Sequence, residues 1–552
     1  MRLPSTLFIV PFALEYYLSH AYPNISQTCS TVGLTDQLSS IDGQLAANAT
    51  ILSAVPVKLN GTYGDPDLLP GLALPELSTG LPELCAVEIN VTSSESSSYS
   101  LSLFLPSEWN SRLLTVGGGG TAGYINYLDM GSGTHYGFAT MSTDNGHRSG
   151  PFDVAWTYKS PEKQIDWAWR AMHGSVQLAK QLVATYYGED IQYSYYTGCS
   201  TGGRQGLKEA QVDAESFDGM LVGAPAWWIS HLTSWATRMS KAYYPLDDPK
   251  SVPSALLGLI SSTVVGQCDA VDGVEDGIVS SPERCYPDLE VLNCDNAGAT
   301  SSACLTPLQL ETLQKFYSDY YVGTELAYPG FELSSESGWG NFLWNDTPLS
   351  YGLDYLRNAV FEDLDWPLAA YNDSVYAYVK AKDLGHPEPD DFDMSAYRDN
   401  GGKIIMYHGI SDPLIVTRGS TYLYDQVKLA TMGVAHPIAD WFRFYLVPGM
   451  MHCLGTGVNA PWYFNGASQS SLLGSDQYSV PGFKDPRHDA LLALMEWVEN
   501  GRDVDQIIAT SWNVLADPSS GVSRQRPLCP YPKKAAYDGL GDVDEAVSWS
   551  CE

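Results

Sequence analysis

Short β-prone runs that end in glycine-rich or polar turns recur along this chain, and the turns hold its reactive side chains. Residues 193–197 are aromatic and strand-prone, and helix formers dominate 204–212 once Gly198, Gly202 and Gly203 are passed. Strand, sharp turn and helix are the predicted elements. A second run, 112–116, opens into Gly117, Gly118, Gly119 and Gly120. A third begins at Lys403 with Ile404, Ile405 and Met406, as expected of a parallel strand buried on both faces, and breaks at the polar turn holding Asp412. The fourth, 442–447, stops at Pro448 and Gly449, just before His452.

The frame Gly198-x-Ser200-x-Gly202 matches a nucleophile elbow, in which small flanking residues let a strained turn expose a serine oxygen. Alone, the frame also describes a glycine-rich turn with a solvent-facing serine. A serine hydroxyl is a poor nucleophile until a histidine takes its proton and a carboxylate fixes that histidine's tautomer. In α/β-hydrolase order the acid and then the histidine follow the serine, each after a late strand. Asp412 and His452 meet that order behind Ser200. His408 is a rival base, but it precedes the acid. Asp425 and Asp440 are rival acids away from the first turn after a run, and His135, His147 and His173 precede Ser200 as ordinary polar residues.

Two backbone N–H groups must face the developing oxyanion, one of them from the residue after the nucleophile. Thr201 supplies the first. Gly118 or Gly119 supplies the second, since glycine lets the backbone approach an acyl oxygen closely. A phosphate-binding reading of the four glycines fails, because no Lys-Ser or Lys-Thr follows them. Cys199 adjoins Ser200 and Cys453 adjoins His452, about 250 residues away; a bridge closing so long a loop contributes on the order of 5 kcal/mol in the chain-entropy model. Such a bridge would also bring the two catalytic loops together.

On these residues the chain resembles the tannase and feruloyl esterase family of secreted fungal hydrolases, marked by a Cys-Ser, Asp, His-Cys arrangement. The resemblance rests on residues 198–206, on Gly223-Ala224-Pro225-Ala226, on His408-Gly409 with Asp412-Pro413, and on Pro448-Gly449 with His452-Cys453. It implies an α/β-hydrolase fold with a large inserted lid domain: a signal peptide at 1–21, catalytic segments at 22–240 and 397–552, and the lid at 241–396. It assigns Ser200 as nucleophile, Asp412 as orienting acid and His452 as base. With the cysteine spacing, it implies bridges Cys29–Cys85, Cys199–Cys453, Cys268–Cys285, Cys294–Cys304 and Cys529–Cys551. It implies a structural Ca²⁺ held by the side chains of Asp269, Asp272 and Asp276 and the carbonyls of Val274 and Ile278; the spacing alone describes equally a solvated acidic turn. Where the family shows Gly-Asn-Gly-Gly, this chain has glycine in place of the asparagine, at Gly118. The aromatics Trp339, Phe342, Trp344, Phe361 and Trp366 fall within the insert.

The 552 residues are 44% hydrophobic, enough for a large core, and the net charge of −34 argues against nucleic acid and anionic membranes as partners. Arg2, the apolar stretch 7–14 and Ala21 form a secretory leader, and no later stretch reaches membrane-spanning length. Sequons at Asn24, Asn48, Asn60, Asn90, Asn345 and Asn372 and the ten cysteines agree with an extracellular glycoprotein. The expected activity is hydrolysis of aromatic carboxylic esters, hydroxycinnamates of plant cell walls first and galloyl esters of tannins second, with no organic cofactor. A peptidase is the rival hydrolase, and a catalytically silent glycan-binding protein the rival without chemistry.

Overall fold

The computed structural model describes residues 29–296, 303–342, 347–432, 437–514 and 517–552. The expected leader, Asn24, Asn345, Trp344 and the side chain of Phe342 lie outside the described residues. One nine-stranded sheet organises the chain. Its strands are β1 (Ala49–Val57), β2 (Leu84–Thr92), β3 (Ser98–Pro106), β4 (Arg112–Val116), β5 (Ala139–Thr143), β6 (Tyr193–Cys199), β7 (Gly219–Gly223), β8 (Lys403–Gly409) and β9 (Phe442–Val447). They lie in the order β1-β2-β3-β5-β4-β6-β7-β8-β9. The first three pair antiparallel, and β3 meets β5 antiparallel. From β5 to β9 every pairing is parallel. This is an α/β-hydrolase fold.

The alternation of side chains across a strand divides the core in two. Leu113, Tyr196, Ile404 and Phe444 face one cluster; their neighbours Leu114, Tyr195, Ile405 and Tyr445 face the other. On the first face pack α2 (Ala171–Tyr187), α3 (Thr201–Val212), α4 (Ile229–Tyr243) and α5 (Thr417–Ala430). On the second pack α1 (Tyr127–His135) and α6 (Ala490–Asn500), which sends Leu491, Leu494 and Trp497 inward. Covering both faces explains why β5 and β7 are buried at every position and read as uninterrupted apolar or small runs.

Between β7 and β8 no described residue joins this sheet. The intervening segment packs instead on α4, where Trp235 meets Tyr328 and Phe331 with ring centroids 5.2 and 5.0 Å apart. Those rings share one hydrophobic cluster with the sheet strands. Within the segment, residues Ser254–Asp272 form a 19-residue helix apolar enough, by length and composition, to cross a membrane. That corrects the expectation that no such stretch exists. A third of it is buried, and core helices of soluble proteins pass the same test. Five disulfides join the same five cysteine pairs that the resemblance implies.

Arg204 ties the insert to the sheet. It is fully buried in α3, lies 4.4 Å over the Trp167 ring, and donates to the carbonyls of Ala168, Pro387 and Trp167. Without a carboxylate partner, burial lowers its guanidinium pKa to about 10. Arg204→Met should cost about 3 kcal/mol of folding stability, because it removes three buried hydrogen bonds to carbonyl oxygens. Denaturant unfolding that placed the variant within ~0.5 kcal/mol of the wild type would contradict this role.

Candidate active site

Ser200 sits where β6 turns into α3, with φ 63° and ψ −122°. That backbone conformation is strained for a side chain bearing a Cβ, and it is held from both sides. The Ser200 N–H donates to Gly223 O at 3.0 Å, and its carbonyl accepts from Arg204 and Ala226 at 3.1 and 3.0 Å. The turn also packs too tightly for larger residues: a Cβ on Gly203 would lie 2.6 Å from Gly223 O.

The acid turn and the base turn are laced together at the ends of β8 and β9. Ile410 N donates to Val447 O at 2.9 Å and Ser411 N to Met450 O at 3.0 Å. A Cβ on Gly409 would come within 2.3 Å of Met450 O, so the two turns can touch only through glycine. His452 Nδ1 then lies 2.7 Å from Asp412 Oδ2. The Cys199–Cys453 bridge brings the Cα atoms of the residues next to Ser200 and His452 to 5.9 Å. Three turns separated in sequence thus converge at one end of the parallel strands.

Asp412 is 1% exposed and fully hydrogen-bonded. Its Oδ1 accepts from the N–H groups of Leu414 and Ile415 at 2.8 and 2.9 Å. Its Oδ2 meets His452 and, at 3.0 Å, His408 Nε2. Burial on its own would raise the Asp412 pKa; the His452 charge and hydrogen bonds from His408 and His452 outweigh it and hold the carboxyl well below the usual carboxylate range. His408, the rival base, is therefore a second partner of the acid. His147 stacks on Trp156 and contacts Thr121 O through Nε2, and burial draws its pKa down to about 4. His173 pairs with Glu209, and His135 lies at the C-terminal end of α1. Asp425 belongs to α5 and Asp440 to a short 3-10 turn before β9.

Thr201 is the first residue of α3, where backbone N–H groups lack helical partners. In the glycine loop the Gly118 N–H donates to Gln205 Oε1 at 3.2 Å and the Gly119 N–H bonds to the Tyr124 hydroxyl, so each of the two expected oxyanion donors has a competing acceptor in this arrangement. Gly120, the last glycine of the run, lines the cavity over Ser200. Three side-chain amides fasten this loop: Gln205 at Gly118, Asn126 Nδ2 on Gly117 O, and Asn145 Nδ2 on Ala122 O. Gln205 adjoins Arg204 in the signature, but its target is about 90 residues earlier and could not be read locally.

The cavity over Ser200 measures about 50 Å³ and is walled by Phe152, Trp167, Ile229, Leu232, Leu414 and Ile415, with Tyr351 and Tyr355 contributed by the insert. A larger cavity of about 380 Å³ is bordered by Ile278, Arg418, Tyr531 and Trp549, and no candidate triad residue lines it. Converging chemistry, rather than size, identifies the site. In the acidic loop Asp269 accepts from Asp276 and Gly277, Asp272 from Val274, and Asp276 from Ile278 and from Arg526 at 2.7 Å. Burial, then repulsion from Asp276 and Asp269, raises the Asp272 pKa. These carboxylates do not close into a ligand trio; among the described residues only His173, Glu209 and Asp213 bring ligand atoms within 4.8 Å of one another.

The tannase and feruloyl esterase family model matches residues 85–552. A probable feruloyl esterase B-1 of Aspergillus oryzae is 32% identical over 509 residues, 92% of this chain and 90% of its own. Feruloyl esterase C of Talaromyces stipitatus is 33% identical over 477 residues, 85% of this chain and 86% of its own. The crystal structure of feruloyl esterase B from Aspergillus oryzae superposes with a TM-score of 0.83 at 30% identity, covering 94% of this chain and 100% of that one. Tannin acyl hydrolase from Aspergillus niger shares the fold, with a TM-score of 0.70 at 19% identity over 95% of this chain and 96% of that one. With the family model matching most of its length and relatives above 30% identical covering most of both chains, the chain belongs to the tannase and feruloyl esterase family.

Proposed function

We propose that this chain is a secreted serine carboxylic-ester hydrolase that releases aromatic acids, foremost hydroxycinnamates such as ferulate from plant cell-wall esters. The observation that carries the mechanism is the bridge-held convergence of the Ser200, Asp412 and His452 turns. Ser200 Oγ attacks the ester carbonyl while His452 Nε2 takes its proton, and Asp412 stabilises the resulting imidazolium through Nδ1. The N–H group of Thr201 and one from Gly118 or Gly119 hold the oxyanion. His452 then protonates the departing alcohol; water, deprotonated by the same nitrogen, attacks the acyl-serine and frees the acid. The apolar cavity walls suit a planar aromatic acyl group, and relatives at 30% identity or more carry feruloyl esterase names, whereas the tannin acyl hydrolase is similar in fold.

Calcium in the 269–278 loop is part of the same reading. The loop offers the hard carboxylate and carbonyl oxygens that suit Ca²⁺, although Asp276 is paired with Arg526 and the three carboxylates would have to draw together around the ion. Its role would be to brace the disulfide-closed loop. Glycans are proposed at the exposed Asn48, Asn60 and Asn372. Asn90 is half-buried, with its amide donating to Tyr99 O, and is a poorer acceptor.

Ser200→Ala and His452→Ala should each lower turnover of methyl ferulate by several orders of magnitude with unchanged thermal unfolding, because the triad acts as a unit. Methyl gallate should be the poorer ester and a peptide amide inert; faster turnover of methyl gallate would make the enzyme a tannase. Replacing both Cys199 and Cys453 with alanine should leave a folded protein with turnover about 100-fold lower, since the base turn loses its tether to the elbow. Wild-type turnover in that double variant would refute the tether. Calcium at 100 times its dissociation constant should stabilise the protein by about 2.7 kcal/mol, read as a rise in Tm that Asp272→Ala abolishes. An identical Tm with calcium and with chelator would reject the site.

A further inference from the structure

We propose that His408 is a positioning residue of the esterase, a second imidazole whose Nε2–H clamps Asp412 Oδ2 in place for His452. The proposal rests on the triad reading above. His408 is the next-to-last residue of β8 and is 0% exposed, so it reaches neither water nor substrate. Its Nε2 lies 3.0 Å from Asp412 Oδ2 and 3.0 Å from Ile415 O. Both neighbours are acceptors only, so Nε2 carries the proton and shares it between them. Nδ1 lies 2.8 Å from Ser420 Oγ, a hydroxyl on α5 that can bond the ring from its other side. Strand, acid turn and helix together fix the orientation of the ring.

The consequence falls on Asp412. The terminal torsion of an aspartate is broad, and backbone donors pin only Oδ1. His408 pins Oδ2, the oxygen that His452 uses. A donor to a carboxylate also stabilises its charge and draws density from the shared oxygen, so His452 gains less from protonation than it would beside a carboxylate with no second imidazole. His408 therefore shares the Asp412 charge with His452 while holding that carboxylate still. The other titratable groups that sense Asp412 are the insert phenols Tyr328 and Tyr351, whose pKa values burial raises well above the ordinary 10.

The test is the pH profile of kcat/KM for methyl ferulate, whose acid limb reports the free enzyme's base. In His408→Leu, Oδ2 loses one donor, protonated His452 is favoured, and the limb should move upward by about half a pH unit or more. Plateau kcat should fall at least about tenfold through misplacement of the acid. His408→Gln, whose amide N–H can replace Nε2–H, should restore the limb and most of kcat. Ser420→Ala, which removes only the hydroxyl on Nδ1, should shift the limb in the same direction by less, and serves where His408→Leu does not fold. An acid limb that stays at the wild-type position in His408→Leu, or in Ser420→Ala if that is the variant that folds, overturns the proposal even if Tm falls, because a purely structural histidine predicts that pattern. His452→Ala separates the two failures: if it retains turnover, the triad reading is wrong, whereas if it is inactive and the limb is unmoved, only the His408 role is wrong.

Discussion

The strained turn at Ser200 is the constraint on which the rest of the site depends. A non-glycine residue at φ 63° costs on the order of 1–3 kcal/mol and persists only where its surroundings leave no alternative. Here the surroundings are the parallel sheet itself: β7 supplies the carbonyl that the Ser200 N–H needs, and the turn after β7 supplies the N–H of Ala226 to its carbonyl. Because β6 and β7 are buried on both faces, the elbow cannot relax without disturbing the core. That rigidity fixes the backbone at Ser200 and at Thr201, the first residue of α3, relative to each other.

A second layer of constraint orders the carboxylate. Removing Asp412 from water would favour its neutral form, yet four donors converge on it and keep it ionised. The turns that carry Asp412 and His452 are joined through backbone hydrogen bonds at the glycine of β8, and a disulfide links the base turn to the elbow. The loops of this site are thus fixed as firmly as the strands they leave. Preorganisation of that kind lets fixed dipoles, instead of reorienting water, meet developing charge.

The insert contributes selectively to this arrangement. Its aromatic core continues that of the sheet through Trp235, Arg204 reaches Pro387 from the nucleophile helix, and Tyr351 and Tyr355 close the wall above Ser200. Beside that wall the segment also builds a small hydrophobic cluster of its own, in which Tyr355, Leu356 and Val360 pack with Trp167 and Ile229.

The sequence by itself determined the strand-turn-helix at Ser200 and the late strands before Asp412 and His452, because each depends on local periodicity, whereas the pairing of Cys199 with Cys453 needed the family resemblance as well. It could not decide what distant groups do to one another. Whether Gly118 offers its N–H to an oxyanion depends on Gln205, which arrives from the helix after the elbow. Whether His408 is a base or a clamp depends on Ser420 and Ile415 closing around both ring nitrogens. An apolar helix of membrane length, Ser254–Asp272, reads the same whether it meets lipid or protein, and only packing tells them apart. Local pattern fixes backbone conformation through short-range sterics, whereas the protonation and hydrogen-bond roles of side chains follow from long-range contacts that only the folded chain creates.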